Sequence, residues 1–300
     1  MDACRNCGSQ TLEQLGFIGE IAPFFLKRVL NLECGEAPSM HPLKIILRRL
    51  RFVARSVQKI YGHSALTEMQ VCRSCWFIQT RVPFSDEAIG RLYADYRAAS
   101  YNRERIRYEP EYAVIASSVG TCPQELQARK VGLTRWLEGK LNVESDFSML
   151  DYGGADGRFL PQLPGRKYVF DISPVAPAEG IMKVKNESDL RSYPYIQLAH
   201  VLEHVSCPLD LTRKAASLLC DAGHLYIEVP QELDDKTMRL LTQGDSRIKV
   251  SIHEHINKYC RKSVTELLRT VGLSIVAIQL EEVNFGWTSA TVIRALARRS

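Results

Sequence analysis

The sequence predicts an α/β protein: a doubly wound, seven-stranded sheet with an antiparallel last strand, preceded by a small cysteine-bearing N-terminal module. Three observations carry the prediction. The stretch Asp151-Tyr152-Gly153-Gly154-Ala155-Asp156-Gly157 follows the short apolar run Phe147–Leu150. Asp171 follows a second run, Lys167–Phe170. From residue 147 onward, strand-like runs alternate with helical or loop segments, the pattern of a parallel sheet.

In order, the predicted strands after the first two are Ile181–Val184, Tyr195–Ala199, His224–Val229, Leu273–Leu280 and Ser289–Ala295. Pro208–Leu219 reads as a helix, with proline in its first turn and Gly223 just past its end. Cys260–Val271 reads as another, closed by Gly272. The last two strands are joined across Asn284-Phe285-Gly286, short enough for an antiparallel hairpin. The sum is a Rossmann-like arrangement. Upstream, Ser85-Asp86-Glu87 opens one helical segment and Pro123-Gln124-Glu125 opens another that runs to Leu141. Between them cluster Tyr93, Tyr96, Tyr101, Arg103, Arg105, Arg107 and Tyr108, either a lid over a ligand or an amphipathic surface. The expected division is residues 1–84, 85–142 and 143–300.

Three hundred residues, 45% hydrophobic and 24% charged, are ample for a buried core. No apolar run reaches the length of a membrane helix and no signal peptide precedes Cys4, so a cytoplasmic enzyme is expected. A net charge of +5 does not by itself argue for nucleic acid. Nine cysteines, an odd count, fit a disulfide framework poorly. Four form two knuckles, Cys4-Arg5-Asn6-Cys7 and Cys72-Arg73-Ser74-Cys75, able to give four thiolates to a structural zinc ion. Reduced core cysteines or a redox pair are the other readings, the redox one disfavoured because neither pair opens a helix beside a strand. Cys34, Cys122, Cys207, Cys220 and Cys260 read as small buried hydrophobes, although Cys34 could also join the metal.

Between the knuckles, Leu43, Ile46, Leu47, Leu50, Val53, Ala54, Val57 and Ile60 recur at helical spacing, opposite Lys44, Arg48, Arg51, Arg55 and Lys59. Such a basic amphipathic helix over residues 43–60 could lie on the anionic inner face of a membrane, or simply pack one face and solvate the other.

The glycine loop and Asp171 point to a nucleoside ligand. Glycines let the backbone approach it, the following helix aims free N–H groups at it, and a carboxylate at the second strand's end accepts ribose hydroxyls. A dinucleotide fingerprint fails, because Ala155 stands at its second glycine. Asp151 and Asp156 would repel a pyrophosphate and attract a cation. S-adenosylmethionine, with a sulfonium and an ammonium on adenosine, fits that charge pattern. The candidate donor-binding set is Asp151, Tyr152, Gly153, Gly154, Ala155, Gly157, Asp171, Ile172 and His200.

Leu150 to Gly157 resembles the first motif of class I S-adenosylmethionine-dependent methyltransferases. Ala199-His200-Val201-Leu202-Glu203-His204-Val205 is similar to their fourth-strand motif, and Asp171 stands at their ribose-binding acid. Ala155 departs at one loop glycine, and Pro194 sits where the fourth strand usually begins with Asp. Together with the cysteine pairs and Ile252-His253-Glu254-His255-Ile256, these motifs resemble bacterial sugar methyltransferases with an N-terminal zinc-binding domain. That resemblance implies a nucleotide-linked sugar or glycan acceptor in surface-polysaccharide or natural-product biosynthesis. In the C-methylating members a Tyr precedes His-Glu-His; Ile252 stands there, which puts carbon methylation in doubt and leaves a hydroxyl open.

An acceptor hydroxyl or carbon must lose a proton, so a base near neutral pKa is needed. His255 and His253 are the candidates, two apart and on one side of an extended backbone, with Glu254 facing away to a structural partner. They could instead only fix the loop before the next helix. His200 is expected near donor or acceptor, His204 and Glu203 in structural roles. Two other functions remain open: a methyltransferase fold kept for binding or scaffolding, and an RNA methyltransferase gripping through Lys44–Lys59. Phe52 and Tyr61 are too few aromatics for a stacking platform, so nucleic acid is not favoured.

Overall fold

The computed structural model describes residues 3–31, 65–96, 98–144, 147–243 and 250–299. The segment 43–60 and Cys34 lie outside them.

In chain order the elements are β1 (Leu12–Ile21), α1 (Pro23–Leu30), β2 (Ala65–Cys72), β3 (Ile78–Thr80), α2 (Asp86–Tyr93), α3 (Ala99–Tyr108) and α4 (123–137). The core follows: β4 (Ser148–Tyr152), β5 (Arg166–Phe170), β6 (Ile181–Lys183), β7 (Tyr193–Ala199), α5 (Pro208–Ser217) and β8 (Leu219–Pro230). The chain closes with α6 (Asp235–Thr242), β9 (Val250–Ile252), β10 (Asn257–Lys258), α7 (Arg261–Thr270), β11 (Ser274–Asn284) and β12 (Ser289–Arg298).

The seven expected strands form one sheet, ordered β11-β12-β8-β7-β4-β5-β6. All neighbours pair parallel except β12, which is antiparallel to both β11 and β8. Strand order reverses between β4 and β7, and open α/β sheets bind ligands outside the C-terminal ends of the strands at such a switch point. The central strands are buried because both faces are covered, which is why their sequences are nearly continuous apolar runs.

Two boundaries differ from expectation. Helix α4 ends at Leu137 rather than Leu141, because Glu138 leaves helical backbone at ψ 132°; its middle, Gln127–Gly132, is a π-helical turn. Helix α5 ends at Ser217 and Gly223 is not its cap. Leu219 instead starts β8, and the register slips between Tyr193↔Leu219 and Tyr195↔His224, leaving Cys220 to Gly223 in a bulge with Ala222 at φ 58°.

A second sheet, β10-β3-β2-β1-β9, takes three strands from the N-terminal residues and two from residues 250–258. Strand β9 adds parallel to β1 at one edge, while β10 adds antiparallel to β3 at the other. The link His253–Ile256 therefore crosses the end of that sheet. It is positioned by a strand on each side, which no sequence period reveals in strands of three and two residues. Ile252 is fully buried opposite Ile21, so an apolar side chain suits that position.

The two sheets share a core. Cys4, Cys72, Cys75, Phe77 and Tyr259 pack in one cluster with Leu198, Leu202, Leu209 and Leu267 of the larger sheet and its helices. Asn6 Nδ2 donates to the Ser263 carbonyl (2.9 Å), and the Leu209 amide donates to the Arg5 carbonyl (3.0 Å). Of the other cysteines, Cys260 is buried as expected, whereas Cys122, Cys207 and Cys220 are half-buried, since each sits at an element's end or bulge. No helix among the described residues is long and apolar enough to cross a membrane.

Candidate active site

Strand β4 delivers the glycine loop. Gly153, Ala155 and Gly157 take left-handed φ values of 80°, 55° and 76°. Left-handed backbone is free for glycine but costs an L-residue roughly 1–2 kcal/mol, so Ala155 is held there by its surroundings. Its amide donates to Asp171 Oδ2 (2.8 Å), and the Ser173 amide donates to Oδ1 (2.7 Å). Asp171 thus ties the loop after β5 to the loop after β4. At Gly154 a Cβ would fall 2.0 Å from the Asp151 carboxyl, and at Gly153 one would meet Val201 Cγ2 at 2.9 Å. These two glycines let Asp151 lie under the loop and let the turn after β7 pack against it.

Asp151 is buried (1% exposed), and its Oδ1 has no hydrogen-bond partner. Burial raises its pKa to about 7, opposed by the Gln197 side chain and Arg129, with Asp171 and Asp156 adding to the rise. Asp156 behaves differently: Arg158 caps it through Nε (2.6 Å) and Nη2, while Arg158 Nη1 reaches the Gly120 carbonyl (3.0 Å). Of the two loop acids, only Asp151 is left without an arginine capping it. Tyr152 turns its ring into the core against Phe170 (5.2 Å) and donates to Glu187, so its side chain is withdrawn from the loop. Ile172 is 77% exposed, an apolar side chain left open beside Asp171.

The turn after β7 carries His200 at φ 56°. Its ring lies between Glu203 Oε1 (3.2 Å from Nδ1) and Glu228 Oε1 (3.1 Å from Nε2). Burial and Arg129 oppose protonation, but the two carboxylates outweigh them and raise the pKa of His200. His200 is thus a ring braced between two acids that favour its protonated form. Glu228 is also held by Arg294 Nε (2.8 Å) and the Tyr226 hydroxyl (2.7 Å).

His204 points the other way. Its Nδ1 lies 2.7 Å from the Tyr93 hydroxyl and 3.1 Å from the Glu254 carbonyl. In the tautomer that donates from Nδ1 to that carbonyl, Nε2 carries a lone pair. Burial lowers the pKa of His204 against the pull of Glu203. The ring of His255 lies 4.8 Å from that of His204, and its Nδ1 faces Glu232, which also pairs with the buried Lys258. With Nδ1 turned to Glu232, the Nε2 side of the His255 ring is the one left for a ligand.

His253 does not share this side. Residues 253 and 254 form a bend, so the extended alternation that would align the two histidines is broken. His253 instead pairs with Glu109 (3.7 Å), which raises its pKa, and is 54% exposed. Glu254 meets a structural partner as expected, accepting from the Tyr101 hydroxyl (2.8 Å) and from Arg105. The tyrosine–arginine cluster of α2 and α3 is thus a clamp on the His253–His255 link, with Tyr101 fully buried and Arg105 bridging Glu109 and Glu254. Glu232, Lys258 and the Tyr93 contact escaped the sequence reading. Glu232, an acid just beyond the apolar end of β8, was the one legible signal.

The four cysteines converge. Cys4 and Cys75 sulfurs are 3.7 Å apart, as are those of Cys7 and Cys72, and all four fall within 4.8 Å of one another. A tetrahedral zinc ion with bonds of about 2.3 Å separates its sulfurs by roughly 3.8 Å, so the set fits that ion.

A seven-stranded sheet with this order, a glycine loop over a buried acid and a carboxylate at the end of the next strand make up a class I methyltransferase fold. The sequence pattern of the methyltransferase-domain family matches residues 112–278, and the chain belongs to that family of S-adenosylmethionine-dependent methyltransferases. No curated protein sequence matches it significantly. Among solved structures, magnesium protoporphyrin IX methyltransferase from Synechocystis PCC 6803 with bound S-adenosylhomocysteine is similar at 16% identity, over 72% of this chain and 100% of that one, with a TM-score of 0.46. The 1,6-didemethyltoxoflavin-N1-methyltransferase of Burkholderia thailandensis is similar at 16% identity, over 75% of this chain and 96% of that one, again at 0.46.

Proposed function

We propose that this methyltransferase acts on a sugar, nucleotide-linked or within a glycan of polysaccharide biosynthesis, at a hydroxyl or carbon, and carries a structural zinc ion on Cys4, Cys7, Cys72 and Cys75. The observation that carries the placement of donor beside acceptor is the close approach of Val201 to Gly153, which sets the glycine loop against the turn bearing His200 and His204.

S-adenosylmethionine supplies an electrophilic methyl on sulfonium. The protein's part is to hold and orient. The backbone of Gly153, Gly154, Ala155 and Gly157 would line the donor, with Asp151 available to its ammonium, Asp171 to its ribose and Ile172 to its adenine. His200 braces the floor between donor and acceptor. His255, oriented by Glu232, activates the acceptor, and His253 serves as an outer contact. The sugar assignment rests on the resemblance of the cysteine knuckles and the His253-Glu254-His255 string to sugar methyltransferases.

The test is calorimetric titration with S-adenosylhomocysteine. Asp171→Ala is expected to bind on the order of 10-fold or more weakly, having lost a charge-assisted hydrogen-bond pair. A screen of nucleotide-linked sugars then follows release of S-adenosylhomocysteine from S-adenosylmethionine; His255→Ala is expected to keep donor affinity and lose turnover. Wild-type binding without turnover on any sugar would reject the acceptor class, and absence of binding would favour a scaffolding role.

A further inference from the structure

Glu203, His204 and His255 come together at the acceptor end of β7, with one ligand atom from each within 4.8 Å of the others. Glu203 is fully buried, and neither of its carboxylate oxygens has a hydrogen-bond partner. His200 Nδ1, 3.2 Å from Oε1, makes an ion contact without hydrogen-bond alignment. A buried carboxylate with no aligned hydrogen bond is costly, and His200, which it shares with Glu228, reaches only Oε1. His204 Nε2 lies 3.9 Å from Glu203 Oε1.

Both imidazoles are prepared in the same sense. Where the Nδ1–H of His204 donates to the Glu254 carbonyl and that of His255 to Glu232, each imidazole presents an unprotonated Nε2. An Nδ1–H held by a carbonyl or carboxylate is how metal-ligating histidines are oriented. The ligand set is two imidazoles and one carboxylate, the donor set of divalent transition-metal sites with open positions.

We propose that Glu203, His204 and His255 bind a divalent first-row transition-metal ion, distinct from the four-cysteine site, whose open positions take an oxygen of the acceptor. Bonds of about 2.1 Å place donors roughly 3–4 Å apart. A small rotation of His255, on the link between β9 and β10, supplies the closure. The proposal rests on the methyltransferase reading only for the identity of the oxygen. It gives His255 its means of activating the acceptor: as ligand to an ion that makes the bound hydroxyl more acidic.

The experiment is equilibrium dialysis of the full chain against micromolar zinc or cobalt, with metal counted by elemental analysis. Wild type is expected to hold one more equivalent than His255→Ala and Glu203→Gln, and Glu232→Gln to weaken that equivalent roughly 10–100-fold. S-adenosylhomocysteine affinity, measured on the same samples, is expected to stay within about twofold, reporting that the variants are folded. Equal metal content in wild type and both ligand variants would overturn the proposal. If that occurs with donor binding intact, the metal site alone fails. If the metal difference appears without donor binding, the donor reading fails instead.

Discussion

Asp151 holds a charge conflict that the donor would resolve. Its carboxyl is neutral in part at neutral pH because burial disfavours the anion, and its raised pKa has a definite linkage sign. The folded state binds a proton that the unfolded state gives up near pH 4. The associated stability is present below that pH and lost as pH rises to about 7. An ammonium ligand demands the anion. S-adenosylhomocysteine binding is therefore expected to release close to one proton at pH 6 and little at pH 8. Titrations in buffers of different ionisation enthalpy measure this, and Asp151→Asn is expected to abolish the difference. The residue scale was also where the sequence misled. Asp151 and Asp156 look equivalent on paper, but Arg158 removes Asp156 from the account. Ala155, visible as a departure from the loop pattern, proves to carry left-handed strain. Ala155→Gly is expected to raise stability by roughly 1 kcal/mol in denaturant unfolding.

At the scale of elements, the clamp from α3 and the cysteine knuckles are the parts whose loss should be felt. Arg105→Ala would leave Glu254 and Glu109 buried with weakened compensation, and a destabilisation of about 3–5 kcal/mol is expected in thermal unfolding. Tyr101→Phe removes one hydrogen bond to Glu254 and is expected to cost about 1 kcal/mol. With zinc on the four cysteines as proposed, Cys72→Ser or a strong chelator would cost on the order of 4 kcal/mol and unravel the β2–β3 end where Phe77 enters the shared core. The seven strands of the main sheet were legible because each is an apolar run with a turn signal behind it. The clamp was legible only as a cluster, because helix spacing alone cannot say that Tyr101 and Arg105 face a link 150 residues away.

For the whole molecule, the sheet order and the antiparallel end follow from strand alternation and one short hairpin connection. What sequence could not supply was the second sheet. Three-residue β9 and two-residue β10 carry no period, and their partners β1 and β3 lie far upstream. His204, Glu232 and His255, the residues the proposal assigns to the acceptor side, come from three segments that this closure brings together.

That closure has a consequence in time. Strands β1 to β3 leave the ribosome about 170 residues before β9 and β10, which at 5–20 residues per second is roughly 10–30 seconds. Throughout that interval both outer edges of the hairpin sheet stand bare. An unpaired edge is a template for any passing strand. A nascent chain that stalls before residue 250 is left with a sheet open on two sides, and such stalled chains, rather than finished ones, are where aggregation of this protein should begin.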